Sequence, residues 1–203
     1  MTRQSARNFR NGLIIAFLAY RPIRAANLTA ITLGQHLAKR GDAWWLSFAA
    51  GETKNRRPLN MPLPTRIIPY LEMYLERVRP FLLTRGGRSR PARTGAMWIS
   101  RNATQMAFTT ISYWVKRLTA EAFGAPINLH LFRDCAATTI AIANPENVRI
   151  ITDILGHATP TTGEKFYNQA QGIEAGRRYH EALAGLRARW DARQDPDRTG
   201  GDD

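Results

Sequence analysis

The chain has 203 residues, 44% of them hydrophobic, with 29 Lys and Arg against 16 Asp and Glu, giving a formal charge of +13. That length suits one well-cored domain and is short for two, and so large a positive excess points to a polyanionic partner, nucleic acid first, although composition alone leaves room for a basic protein with no such role. A single cysteine, Cys135, excludes an internal disulfide and a thiolate metal cluster and fits a reducing cytoplasm.

Other classes fall to the distribution of residues. Arg and Lys are spread along the whole chain, whereas a membrane-surface protein concentrates its charge on one amphipathic helix. His36, His130, His157 and His180 lack zinc-ligand spacing, so no metal is expected. The apolar run from Leu13 to Tyr20 is too short to span a bilayer and ends on Arg21, which argues against a signal peptide or membrane anchor.

In chain order, Ser5 to Ala19 reads as a helix with Phe9, Leu13, Ala16 and Phe17 on its apolar side. Pro22 suits the first turn of a second helix that carries Arg24, Leu28 and Ile31. Three short β-like runs follow at Gly34 to Leu37, Ala43 to Phe48 and Arg57 to Pro62. Turn signals at Arg40-Gly41-Asp42 and Gly51 to Asn55 separate them, which predicts an antiparallel meander with Lys54 at the tip of its second hairpin. Pro64 to Arg79 reads as an amphipathic helix with Ile68, Leu71, Leu75 and Val78 on one side. After Pro80 comes a loop dense in Gly, Pro and Arg. Arg85, Arg88, Arg90 and Arg93, with Arg101 further on, suit phosphate contact; a solvated loop that touches nothing is the other reading.

Thr109 to Phe123 is predicted to be a helix that buries Ile111, Trp114, Val115 and Leu118 and stops at Gly124. His130 opens another through Ala143, with Arg133 on the same face as His130, so that the ring and the guanidinium would address one anion. Asn144-Pro145 breaks it. Val148 to Leu155 forms a further helix capped by Gly156, which aims His157 back toward Arg133. Gly172 to Leu186 is a final helix with Tyr179, Leu183 and Leu186 as apolar contacts, and residues 187–203 lack apolar periodicity and read as a flexible tail. The elements add up to an α+β domain, mainly α-helical, with a small three-stranded antiparallel sheet.

The order of Arg24, Lys54 in TKNRRPLNMPL, His130-x-x-Arg133, Leu155-Gly156-His157 and then Tyr167 resembles the signature of the tyrosine recombinases, the phage-integrase family, over roughly residues 8 to 184. The resemblance implies that family's catalytic-domain helical core over residues 1–186, with Arg24, Lys54, His130, Arg133 and His157 as catalytic residues and Tyr167 as nucleophile. Arg56 and Arg57 beside Lys54, and Arg85, Arg88, Arg90 and Arg93, would contact DNA. Asn27 and Asp134 stand where the family usually has Glu and His, and Phe166 stands where most relatives place the nucleophile, one residue before Tyr167. On a rigid helix that offset rotates a side chain by about 100°.

What the resemblance implies chemically follows from the residue types. A phenol is about one part in a thousand ionised at neutral pH, a deficit of about 4 kcal/mol, so a tyrosine nucleophile needs neighbours that accept its proton. Two guanidiniums clamp the charge that builds on the nonbridging oxygens, and a lysine protonates the leaving 5′-oxygen. The product would be a 3′-phosphotyrosyl link that stores the bond for rejoining, with neither ATP nor metal required and cations standing where magnesium stands elsewhere. The family works on double-stranded DNA as a tetramer, in places with accessory DNA-bending proteins, and carries an amino-terminal domain that closes a clamp. Here the first helix begins near Met1, so that half of the clamp is expected to be absent and DNA binding weak and salt-sensitive. A type IB topoisomerase-like cutting and resealing enzyme and a DNA-binding remnant without catalysis stay open beside the recombinase.

Overall fold

The computed structural model describes residues 1–84, 94–143, 172, 176 and 178–189. Its first element, α1 (Arg3–Tyr20), starts two residues before the expected Ser5 because Thr2 and Ser5 cap each other reciprocally. Ala6, Leu13, Ile14, Phe17 and Leu18 line the buried side of α1, against which the rest of the domain packs. Phe9 and Ala16, expected in that stripe, sit at its edge and are only partly buried.

Residues 22–24 are not the first turn of a helix. Pro22 and Arg24 lie in an extended link, and α2 (Ala25–Ala30) begins one residue after Arg24, which is its N-cap residue with φ −62° and ψ 143°. The sheet is the expected antiparallel meander, ordered β1 (Leu37–Arg40), β2 (Ala43–Phe48), β3 (Leu59–Pro62). Leu37 faces Leu46, and Leu46 faces Met61, so one face of the sheet meets the core. The first strand starts later than the sequence suggests: Gly34 adopts φ +81° and its N–H bonds the Leu37 carbonyl, which makes residues 34–36 a turn.

Pro80 does not end the next helix. After α3 (Ile68–Met73), the turn Tyr74–Val78 is π-helical and leads straight into α4 (Arg79–Thr84), with Pro80 inside. The wider turn shifts the hydrogen-bond register, and the missing N–H of Pro80 is accommodated where an ordinary α-helix would lose a bond and meet the ring. The extended stretch 96–99 then threads the core. Trp98 is fully buried, edge-on to Phe17 at 5.9 Å and 5.7 Å from Tyr74, and its indole N–H donates to the Leu28 carbonyl at 3.0 Å. Tyr74 donates to the Met97 carbonyl at 2.8 Å, and its burial pushes its pKa up to about 12.

The helix α5 (Phe108–Phe123) ends at Gly124 in the left-handed conformation, as predicted. Its core side is Ile111, Val115 and Thr119, while Trp114 and Leu118 are only partly covered. The helix α6 (Leu131–Ala143) follows the 125–130 link and packs on α1. Residues 178–189 are helical, with Leu183 partly buried and Tyr179 and Leu186 63% and 58% exposed. Among the described residues no helix is long and apolar enough to cross a membrane. The mainly helical α+β reading with one small antiparallel sheet therefore holds.

Candidate functional site

The extended link 22–24 is the hub of the site, because groups from two distant parts of the chain meet it. Asn128 builds one of them: its Oδ1 accepts from the backbone N–H of His130 and of Leu131, both at 2.9 Å, which fixes the start of α6. One turn in, Arg133 is 4% exposed and its Nη1 donates to the Pro22 carbonyl at 2.6 Å. Burial first, and then the nearby Arg24 guanidinium, lower the pKa of Arg133 to about 10 against the opposing effect of Asp134. Arg24 and Arg133, far apart in sequence, thus sit within electrostatic reach of each other.

The second group is the connection between β2 and β3. Arg24 Nη1 lies 3.4 Å from Asn55 Oδ1, a long contact that sets Arg24 beside the turn carrying Lys54. Lys54, Arg56 and Arg57 are all exposed there. The turn is not a simple hairpin tip: a 3₁₀ turn spans Ala50–Glu52, Thr53 is buried and donates to the Arg57 carbonyl at 2.6 Å, and Arg56 takes φ +53°.

Asn27, where a glutamate was expected to support Arg24, has a different employment. It is 7% exposed and donates to the Glu52 carbonyl at 3.0 Å, tying α2 to the lysine-bearing connection. The Glu52 side chain completes the tie: one oxygen accepts from the Ala49 N–H at 2.7 Å and the other lies 2.8 Å from His36 Nε2. The tautomer of His36 follows from its other nitrogen. The Thr32 N–H donates to Nδ1 at 3.0 Å, so Nε2 carries the hydrogen and gives it to Glu52, while the ring stacks on Phe48 at 4.6 Å. Sequence reading passed over His36 and Glu52; the only local signal was a histidine at the end of a turn opposite an acid in the next hairpin.

The His36 bond, and then the Ala49 N–H, hold the Glu52 carboxyl below its usual range. A depressed carboxyl pKa contributes order that is complete above the unfolded value, near 4.5, and is lost as pH falls through the folded one. Glu52→Gln is therefore expected to speed amide exchange at Ala49 and Thr53 near neutral pH and to remove the acid-side step in their protection that the wild type shows; equal protection in both proteins would contradict the role.

His130 and Arg133 differ in their surroundings despite the shared spacing. The His130 ring is 76% exposed, 3.7 Å from Asp134 Oδ1. His157 and Tyr167, the helix expected over Val148 to Leu155, and Arg85, Arg88, Arg90 and Arg93 lie outside the described residues. Cys135 is exposed on α6, and among the described residues no three His, Cys, Asp or Glu side chains group as a metal site.

No protein-family model matches the chain, and no curated protein matches it. Solved structures do. A post-cleavage complex of the XerH site-specific recombinase with palindromic difH substrate matches with a TM-score of 0.65 at 16% identity, over 91% of this chain and 47% of that one. The pre-cleavage XerH complex with difH gives 0.63 at 15% identity, over 82% of this chain and 44% of that one. The XerA recombinase gives 0.61 at 16% identity, over 88% of this chain and 62% of that one. The chain has the fold of tyrosine recombinases. It spans roughly half the length of the two XerH chains and somewhat more of XerA.

Proposed function

We propose that this chain is the catalytic unit of a tyrosine-type DNA strand transferase, a site-specific recombinase or integrase that cuts and rejoins DNA through a 3′-phosphotyrosyl intermediate. The observation that carries the reading is the approach of Arg24 and Arg133, buried or half-buried on separate elements and close enough that one guanidinium lowers the proton affinity of the other. Two planar guanidiniums brought together in this way match the nonbridging oxygens of a phosphodiester, each able to give paired hydrogen bonds.

In this reading Arg24 and Arg133 clamp the nonbridging oxygens of one scissile phosphate, and His130 and His157 add donors as charge develops. Tyr167 attacks phosphorus, its phenol proton passing to a neighbouring base, and the 5′-oxygen leaves with a proton from Lys54. Each cut conserves one phosphoester bond in the phosphotyrosine, so resealing needs no external energy. Arg56 and Arg57, with Arg85, Arg88, Arg90 and Arg93, hold flanking backbone. Residues 1–186 form the catalytic unit, and copies of the chain assemble on double-stranded DNA, with a DNA-bending accessory protein where the site requires one.

A second reading, a DNA-binding remnant of such an enzyme, is favoured by one feature: the exposed His130 ring faces Asp134, whereas the buried Arg133 bonds Pro22. Incubation with a nicked duplex and separation on a denaturing gel divides the two. A covalent adduct lost in Tyr167→Phe is the expected result; duplex shifted on a native gel with no adduct would establish the remnant. Exchange between two duplexes, against relaxation of supercoils alone, then separates a recombinase from a type IB topoisomerase-like enzyme.

A further inference from the structure

A second cluster of cations lies apart from the residues of the Arg24 and Arg133 site. A cavity of about 280 Å³ opens between the first turns of α1, the 100–102 turn and the start of α5, lined by Arg7, Arg10, Ser100, Arg101, Asn102, Thr110 and Trp114. Three of its walls are guanidinium groups, and among the described residues no acidic side chain lines it. Arg10 is 2% exposed; its Nη1 is spent on the Ile99 carbonyl and its Nε and Nη2 on Asn11 Oδ1, so it is held rigidly as a buried cation. Burial lowers its pKa to about 10, Tyr74 opposing that shift and Arg7 adding to it. The Nε of Arg7 is buried with no hydrogen-bond partner among the described residues, although its Nη2 reaches Gln4 Oε1 at 2.6 Å. A buried donor left open beside a buried cation carries a standing desolvation cost that an anion would relieve.

The rest of the wall is fitted to the same ligand. The 100–104 turn is rigid: Ser100 Oγ accepts from the Asn102 N–H at 3.1 Å and the Thr104 N–H at 3.3 Å, the Ser100 N–H bonds the Thr104 carbonyl at 2.7 Å, and Ala103 takes φ +58°. It holds Arg101 and Asn102 at the rim. Thr110, in the first turn of α5, contributes its side of the wall, with its own N–H given to the Ala107 carbonyl at 3.1 Å.

We propose that this cavity is a binding site for one phosphate-type oxyanion, gripped by Arg7 and Arg101 over the fixed charge of Arg10. The inference rests on the cavity and not on the assignment of Tyr167, so its failure would leave the covalent-adduct test untouched, and the reverse.

The test follows the Ser100 and Asn102 amides and the Trp114 indole N–H by NMR while inorganic phosphate is titrated into the full chain at constant ionic strength. Saturable shifts at these signals are expected, with affinity lowered at least tenfold in Arg7→Gln and in Arg101→Gln, while signals distant from the cavity stay in place and report an intact fold. Absence of saturable shifts in the wild type, or wild-type affinity retained in either variant, would overturn the site. A short DNA duplex then identifies the source of the anion. If Arg101→Gln weakens duplex binding and lowers its salt dependence by about one phosphate contact, the oxyanion is part of the DNA backbone. If duplex binding is unmoved while the phosphate response is lost, the site serves a free phosphorylated small molecule.

Discussion

Arg133→Lys is expected to slow formation of the covalent DNA adduct by about a hundredfold to a thousandfold while leaving the fold intact. Arg133 already gives one donor to the Pro22 carbonyl, and a fork of five donors is what lets it hold that carbonyl and a phosphate oxygen together. A lysine in this buried place offers a point charge with fewer directed donors, and losing one directed donor to a developing oxyanion costs about 2.7–4 kcal/mol. Thermal stability separates this account from a purely structural role. Lowering a cation from 12.5 to about 10 corresponds to about 3 kcal/mol of net unfavourable surroundings, burial first and Arg24 second. That penalty is present at every pH below the depressed value and is relieved only as pH rises through it. Arg133→Met is therefore expected to lose adduct formation with a Tm equal to or above that of the wild type. A Tm that falls in step with activity would mark Arg133 as a brace for Pro22 and nothing more.

Trp98→Ala is expected to cost about 3–5 kcal/mol of unfolding free energy, the largest single effect in the described core. The indole is fully buried between Phe17 and Tyr74, so its removal opens a cavity that a stretch held by backbone bonds on both sides fills poorly. It also leaves the Leu28 carbonyl without its indole donor, at a cost of about 1–3 kcal/mol contained in that total. Leu28 belongs to α2, whose N-cap is Arg24, so the core defect reaches the site through one short helix. Denaturant unfolding of Trp98→Ala and Trp98→Phe measures the two parts, the phenylalanine variant losing mainly the hydrogen bond. A loss below about 1 kcal/mol in the alanine variant would contradict this description of the core.

The readable parts of the fold were those set by local chemistry. Gly124 stops α5 because a left-handed residue was needed there, and the meander follows from short β-prone runs punctuated by Gly41 and the 51–55 turn. Pro80 misled because the π-helical turn before it is a register change with no composition of its own. Arg10 was invisible for another reason. An arginine on a helix reads as solvated, and only its tertiary partners, the Ile99 carbonyl and Asn11, turn it inward. Trp114, expected in the core, packs against it partly buried and also walls the cationic cavity, since a ring at that spacing serves both purposes. Of the candidate site, the sequence order and the family resemblance selected Arg24 and Arg133, but periodicity had no means of bringing them together. The docking of α6 on α1 and the Pro22 carbonyl accomplish that. Asn27 looked like a weakened glutamate and is in fact a tie to Glu52, a role that depends on a backbone carbonyl no sequence pattern reveals.

The most direct test of the central claim is to trap the protein on a nicked duplex in the presence of EDTA, digest the DNA and the protein, and map the modified peptide by mass spectrometry. The account predicts a nucleotide 3′-phosphate on Tyr167, absent in Arg133→Met. A nucleotide on any other residue, or a duplex that is bound but never joined to the chain, would contradict it.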